Sequence, residues 1–256
     1  MEKTVVIIGL GQLGRIFAGG LLRTGHTVVP INRGDNIKQV AEHHANPQLV
    51  LVAVAETDLH PVLSALPARW HNELALLQNE LLPRDWEAHG IFDPTVISVW
   101  FEKKRGTDAK PLLSSPVYGR HAHLLAAALE AIDLPVHVVT DREQMLWELV
   151  RKNLYILTTN IAGLAVGGDV GTLWHKQRDL AEAIAADVLD IQDALTHRPF
   201  QRERLMRGLA DAIAADPAHA CAGRTAPARL KRALQHADQA GLSVPTLRRI
   251  AAEHGI

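Results

Sequence analysis

A single cysteine, Cys221, stands in 256 residues, so no internal disulfide can form, which fits a reducing compartment. No run of about 18 uninterrupted apolar residues occurs, so no membrane-spanning helix is expected. Neither sign of charge dominates: 27 basic against 28 acidic side chains leave a net −1, which gives the whole molecule no evident pull towards nucleic acid or membrane. Met1-Glu2-Lys3 leads straight into an apolar run that a sheet needs, so no signal peptide is expected and the chain reads as cytoplasmic. His43-His44 and His121-x-His123 lack a third ligand at metal spacing, so no metal site is expected. Nothing marks Cys221 as a nucleophile, because no histidine partner can be assigned to it. What remains is an apolar fraction of 47% over a length sufficient for two domains, the profile of an ordinary globular protein.

The informative stretch is Thr4 to Asn36. An apolar run, Val5-Val6-Ile7-Ile8, passes into Gly9-Leu10-Gly11-Gln12-Leu13-Gly14, then a helical pattern through Ile16, Phe17, Leu21 and Leu22, then a second apolar run from Thr27 to Ile31. G-x-G-x-x-G is weak alone, but between a strand and a helix it specifies a dinucleotide turn. Gly9 permits the tight turn, Gly11 lets a pyrophosphate approach the backbone, and Gly14 lets the helix lie close on the sheet. The helix start offers unpaired N–H groups and a positive dipole end to phosphate.

No acidic residue closes the second strand, where one would hold a free ribose 2′-OH. Asn32-Arg33-Gly34 stands there instead. Arg33 can pair with a 2′-phosphate, so NADP(H) is the expected cofactor. Asp35 lies close enough to take the ribose role, which keeps NAD(H) open.

Further along, Ile37–His44 reads as a short helix ended by Pro47, and Leu49–Val54 as a strand buried on both faces. The backbone of Val54 and Ala55 follows at its carboxyl end, where open α/β sheets place ligands. Thr57 or Asp58 can cap a helix over His60–Leu66. Leu74–Gln78 is the next strand, with Asn79 at its edge, either facing the nicotinamide or substrate or serving a local turn. Thr95–Phe101 is β-like, Glu102 to Gly106 reads as a charged hairpin or loop, Leu124–Ile132 as a helix and Val136–Val139 as a last strand. Alternating strands and helices predict a doubly wound, mostly parallel α/β sheet over residues 1–140.

From 141 to 256 only helical signals occur. Thr140-Asp141-Arg142-Glu143 has the spacing of a capping box. The expected helices are Glu143–Val166, Thr172–Leu195, Gln201–Ala215, Ala226–Ala240 and Pro245–Glu253, punctuated by Gly167-Gly168, Pro199, Pro217 and Gly241. On the long first helix, Lys152, Ile156 and Asn160 share one row and Leu149, Asn153, Ile156 and Asn160 its neighbour. Polar groups on an otherwise apolar helix are costly to bury without partners, so this face is expected to line the cleft. Burial would lower the pKa of Lys152 and make it a usable general acid; alternatively Lys152 reaches solvent and Asn160 bonds backbone.

These motifs resemble the ketopantoate reductase family. The glycine turn and Arg33 match its cofactor site. Asn79 echoes its Asn-Gly pair, with Glu80 in place of the glycine. Lys152 and Asn160 fall on its K-x-x-x-N-x-x-x-N helix, with Ile156 replacing the first asparagine, and Gly171-Thr172-Leu173 on the G-x-L that follows. Gly241-Leu242-Ser243-Val244-Pro245 looks like its G-I-x-V-P stretch, and its substrate-binding glutamate would land near Thr225, where no carboxylate stands. The resemblance implies a Rossmann domain joined to an all-α domain, reduction of a 2-keto acid by NADPH, Lys152 as catalytic lysine, Asn160 orienting either Lys152 or the substrate, and a homodimer. Arg224 or Thr225 would replace the lost carboxylate and suit a small anionic carbonyl substrate.

A non-catalytic dinucleotide sensor on the same fold is the alternative, favoured by Ile156 and the missing carboxylate. Residues 198–249 carry ten lysines and arginines against four acidic residues, but without interleaved aromatics, so a solvated face is expected and nucleic acid is not.

Overall fold

The computed structural model describes residues 3–103 and 106–256. It divides into two compact units, Met1–Leu149 and Val150–Ile256.

In the first unit, seven strands form one sheet: β1 (Thr4–Ile8), β2 (Thr27–Ile31), β3 (Leu49–Val52), β4 (Leu74–Leu76), β5 (Thr95–Ile97), β8 (Ser115–Tyr118) and β9 (Val136–Val138), in the order β2-β1-β3-β4-β5-β8-β9. Every pairing is parallel except β5 with β8. The inner strands β1, β3 and β4 are buried along their whole length, as their unbroken apolar sequences require. Edge strand β2 tolerates Pro30. Helix α1 (Gln12–Arg23) and helix α5 (Ala122–Glu130) cover one face through Phe17, Leu21, Leu125 and Leu129. Gly20 makes their contact possible, since a Cβ there would sit 2.0 Å from the Ala128 carbonyl oxygen.

Several elements differ from expectation for identifiable reasons. The strand expected over Leu49–Val54 ends at Val52, and helix α3 (Glu56–Ala65) starts earlier than His60, with Ala55 at its N-cap and no side-chain cap from Thr57 or Asp58. Pro61 lies inside that helix. The strand expected over Thr95–Phe101 stops at Ile97. Trp100 then donates its N–H to the Ser115 hydroxyl, 2.9 Å, and Phe101–Glu102 (β6) pairs with Lys110–Pro111 (β7) in a separate two-stranded ladder. Within the expected charged hairpin, Lys104 and Arg105 lie outside the described residues. Helix α2 (Ile37–His43) is capped by Asn36, whose side chain accepts from the N–H groups of Lys38 and Gln39. Helix α4 (Pro83–Glu87) and a 3₁₀ turn over Ala68–Glu73 complete the unit.

Helix α6 (Arg142–Val166) contains the division between the two units. Asp141, not Thr140, caps it: its carboxylate accepts from the Glu143 N–H at 3.0 Å. The second unit continues with α7 (Val170–Lys176), α8 (Arg178–Thr196), α9 (Arg202–Ala215), α10 (Ala226–Gln239) and α11 (Pro245–His254). The single helix expected over Thr172–Leu195 is broken at Gln177, which adopts φ −130° and stands between the end of α7 and the start of α8. Two capping carboxylates organise this unit. Asp169 accepts from the Thr172 N–H at 2.6 Å. Asp187 of α8 is buried and accepts from Thr246 and Leu247 at 2.8 and 3.0 Å, holding the start of α11.

Candidate functional site

The sheet order turns outward in both directions from β1 and β3, which makes their carboxyl ends the switch point where an α/β sheet opens a ligand crevice. A groove of about 730 Å³ lies there. Gly9, Leu10 and Gly11 line it after β1, Asn32, Arg33 and Asp35 after β2, and Val54, Ala55 and Asp58 after β3. Two backbone bonds fix this meeting of loops: Gly9 N–H to the Ile31 carbonyl and Ala53 N–H to the Ile8 carbonyl, each 2.8 Å. Gln78, buried on the neighbouring strand end, donates to the carbonyls of Val52 and Val54 at 2.9 and 3.2 Å and holds the β3 exit in place.

The glycines of the turn divide by what constrains them. Gly9 has φ +97°, and a Cβ there would stand 2.7 Å from the Ala53 carbonyl oxygen. A Cβ on Gly14 would stand 2.0 Å from the Gly9 carbonyl oxygen. Both are demanded by the protein's own packing. Gly11 is not: a Cβ there would meet no atom of the described protein within 4 Å. Its bare backbone faces the groove as the N-cap of α1, where a phosphate needs it bare. The first turn of α1 carries no acidic side chain, whereas that of α3 carries Glu56 and Asp58. The positive end of α1 is therefore left for an external anion. The residues present fit a dinucleotide.

Of the sequence-derived cofactor residues, Gly9, Leu10, Gly11, Asn32, Arg33, Val54 and Ala55 line this groove. Gln12 is exposed at the start of α1, Leu13 packs against the core, and Gly14 is buried. Asn79 is half-buried and donates to Glu56 at 3.4 Å, away from the groove lining. Arg33 extends its guanidinium to Asp58, Nη2 to Oδ2 2.9 Å. Asp35 accepts the Asn32 N–H at 2.6 Å, so one of its oxygens serves the turn.

The second unit holds its own polar cluster. Lys152 is 7% exposed, and its pKa is lowered to about 7, first by burial and then by the charges of Arg229 and Arg151. Its ammonium lies 5.8 Å from the centroid of the Tyr155 ring. Lys152 thus does not reach solvent as an ordinary surface lysine would. Asn160 is buried as well; its Oδ1 accepts from Arg229 at 2.7 Å and its Nδ2 donates to the Cys221 carbonyl at 3.2 Å. Asn153 is buried on the same helix, and neither of its amide atoms has a hydrogen-bond partner among the described residues. Cys221 is buried, and burial followed by the charge of Asp169 pushes its thiol up to about 11, which leaves it unreactive.

Arg224 and Thr225, the expected substitutes for a lost carboxylate, are both exposed. The buried basic group of that region is Arg229, one turn into α10. The apolar row Ala226, Leu230, Ala233, Ala237 signals that α10 has a buried face, but not which of its basic residues joins it. Asp58 gave no such signal, because its partner Arg33 lies 25 residues away in the chain.

A Rossmann-like nucleotide unit followed by a helical unit defines the class of protein. No family model matches the chain, and no curated protein matches it in sequence. Among solved structures, a ketopantoate reductase from Ralstonia eutropha aligns over 97% of this chain and 96% of its own, with TM-score 0.68 and 17% identity. The 2-dehydropantoate 2-reductase of Methylococcus capsulatus aligns over 98% and 96%, with TM-score 0.66 and 15% identity. D-Mandelate dehydrogenase, solved with NADH and anilino(oxo)acetate, aligns over 97% and 96%, with TM-score 0.68 and 13% identity. The chain has the two-domain fold of these dinucleotide-dependent keto-acid reductases.

Proposed function

We propose that this chain is an NADP(H)-dependent oxidoreductase that reduces a small anionic carbonyl compound of the 2-keto acid type. The observation that carries this reading is the groove at the β1/β3 switch point, with Gly11 bare where no protein atom requires it and Arg33 at its rim. Gly9 to Gly11 and the α1 N-terminus would hold the pyrophosphate, Val54 and Ala55 would contact the ribose or nicotinamide, and Arg33 would take the 2′-phosphate.

When bound, the coenzyme supplies a hydride to the carbonyl carbon. Lys152 delivers the accompanying proton to the carbonyl oxygen. With a pKa of about 7 it is poised for general acid work near neutral pH, and an arriving carboxylate favours its protonated form. Asn160, held by Arg229 and the Cys221 carbonyl, orients this group, and Arg229 supports the negative charge of substrate and developing alkoxide. A homodimer is the assembly this reading proposes, in line with the dimeric ketopantoate reductase from Staphylococcus aureus among the similar structures. The lone buried thiol suits a cytoplasmic setting.

The second reading is a dinucleotide-binding sensor without turnover. The engagement of both Asn160 amide atoms within the protein favours it. NADPH oxidation against a panel of 2-keto acids, run beside NADPH titration of the same preparation, separates the two. Turnover of one candidate supports the reductase; tight binding with no turnover of any supports the sensor; no binding removes both.

A further inference from the structure

Arg33 and Asp58, both in the groove lining, are paired through their side chains. The Arg33 side chain is 90% exposed, and its guanidinium meets the carboxylate of Asp58 at 2.9 Å. Asp58 is the more firmly placed of the two. It sits in the first turn of α3, with its N–H bonded to the Ala55 carbonyl at 2.9 Å, and its own side chain is 42% exposed. Asp35, the other carboxylate of the groove lining, spends an oxygen on the Asn32 N–H and makes no ion pair with Arg33 among the described residues. Glu56, in the same turn of α3, accepts from Asn79.

We infer that Asp58 is a specificity residue of the dinucleotide groove: it holds Arg33 when the coenzyme ends in a free ribose hydroxyl and competes for Arg33 when a 2′-phosphate is present. The inference rests on the reading of the groove as a nicotinamide dinucleotide site. A 2′-phosphate must draw Arg33 off Asp58 and then stand near a carboxylate of its own sign. A free hydroxyl does neither. Asp58 therefore narrows the preference for NADPH over NADH, and its removal widens it. An exposed pair of this kind is worth a modest factor, about three- to tenfold in affinity once the repulsion is included.

Full-length protein titrated with NADPH and with NADH, read by nicotinamide fluorescence, tests this directly. 2′,5′-ADP and 5′-AMP serve as calorimetric probes that lack the nicotinamide. Asp58→Asn is expected to tighten NADPH and 2′,5′-ADP about three- to tenfold and to leave NADH and 5′-AMP within about twofold. The gain shrinks at high salt. In the Arg33→Ala background the same substitution gives a smaller gain, because only the direct repulsion by Asp58 remains. Asp58→Ser repeats the measurement should the asparagine variant melt early. An unchanged NADPH-to-NADH ratio, or a gain undiminished by the loss of Arg33, overturns the inference while the dinucleotide reading stands. Failure of every nucleotide to bind the unmutated protein overturns both.

Discussion

At the scale of single residues, Lys152 carries the sharpest consequences. Its pKa of about 7 lies far below the ordinary lysine value of 10.5, so between those two pH values the unfolded chain binds a proton that the folded chain releases. Stability from this group therefore rises with pH across that window, and the cost of burying the charge is full below about pH 7. Lys152→Met should remove that cost. Thermal melts should show the variant above the parent at pH 6, by about 1–4 kcal/mol, with the advantage fading as pH climbs towards 10. Its turnover of any keto acid that proves to be a substrate should fall by about 10²–10⁴. Arg229→Gln deletes one cause of the lowered pKa, so the high-pH decline of kcat/KM should move to higher pH, although the rate falls because Asn160 loses its partner. Lys152 and Asn160 were legible as candidates because they share a row, eight residues apart, on an apolar helix. The arginine was not assigned, since helix amphipathicity alone does not say which of several basic residues on α10 turns inward.

At the scale of elements, the glycines of α1 give a matched pair. Gly20→Ala drives a methyl to 2.0 Å from the Ala128 carbonyl oxygen and must push α1 off α5, so a loss of several degrees in Tm is expected with coenzyme affinity nearly kept. Gly11→Ala meets no protein atom and should leave Tm within about a degree or two, but weaken NADPH at least about tenfold in the same titration. The reverse pattern would mean that the bare backbone at Gly11 serves folding rather than binding. Strands β1, β3 and β4 were readable because parallel strands buried on both faces are short unbroken apolar runs. Strand β8 was missed: Ser115-Pro116-Val117-Tyr118 has neither a clean alternation nor an apolar run, and its place between β5 and β9 comes from its neighbours. The break at Gln177 was equally silent, because no glycine or proline marks it and the alanine-rich sequence that follows favours helix.

At the scale of the whole molecule, charge and ligand linkage are the accessible properties. Part of the basic surplus of residues 198–249 is engaged: Arg202 pairs with Asp190 and Asp193, Arg248 with Asp238, Arg249 with Glu253, and Arg229 is buried. A mobility-shift titration with duplex DNA should accordingly show no salt-sensitive complex. NADPH at about a hundred times its Kd should stabilise the native state by about 2.7 kcal/mol, visible as a higher Tm, and NADH at equal concentration by less. Helix α6 sets a limit on dissection. Its 25 residues contain the point where the chain divides, so a fragment cut between Leu149 and Val150 would strand a turn of carbonyls on one piece and a turn of amides on the other. Anyone wishing to express the nucleotide unit alone must carry the helix through to Val166 or stop before Asp141, and the first choice brings Lys152 along stripped of the α10 arginine that sits beside it.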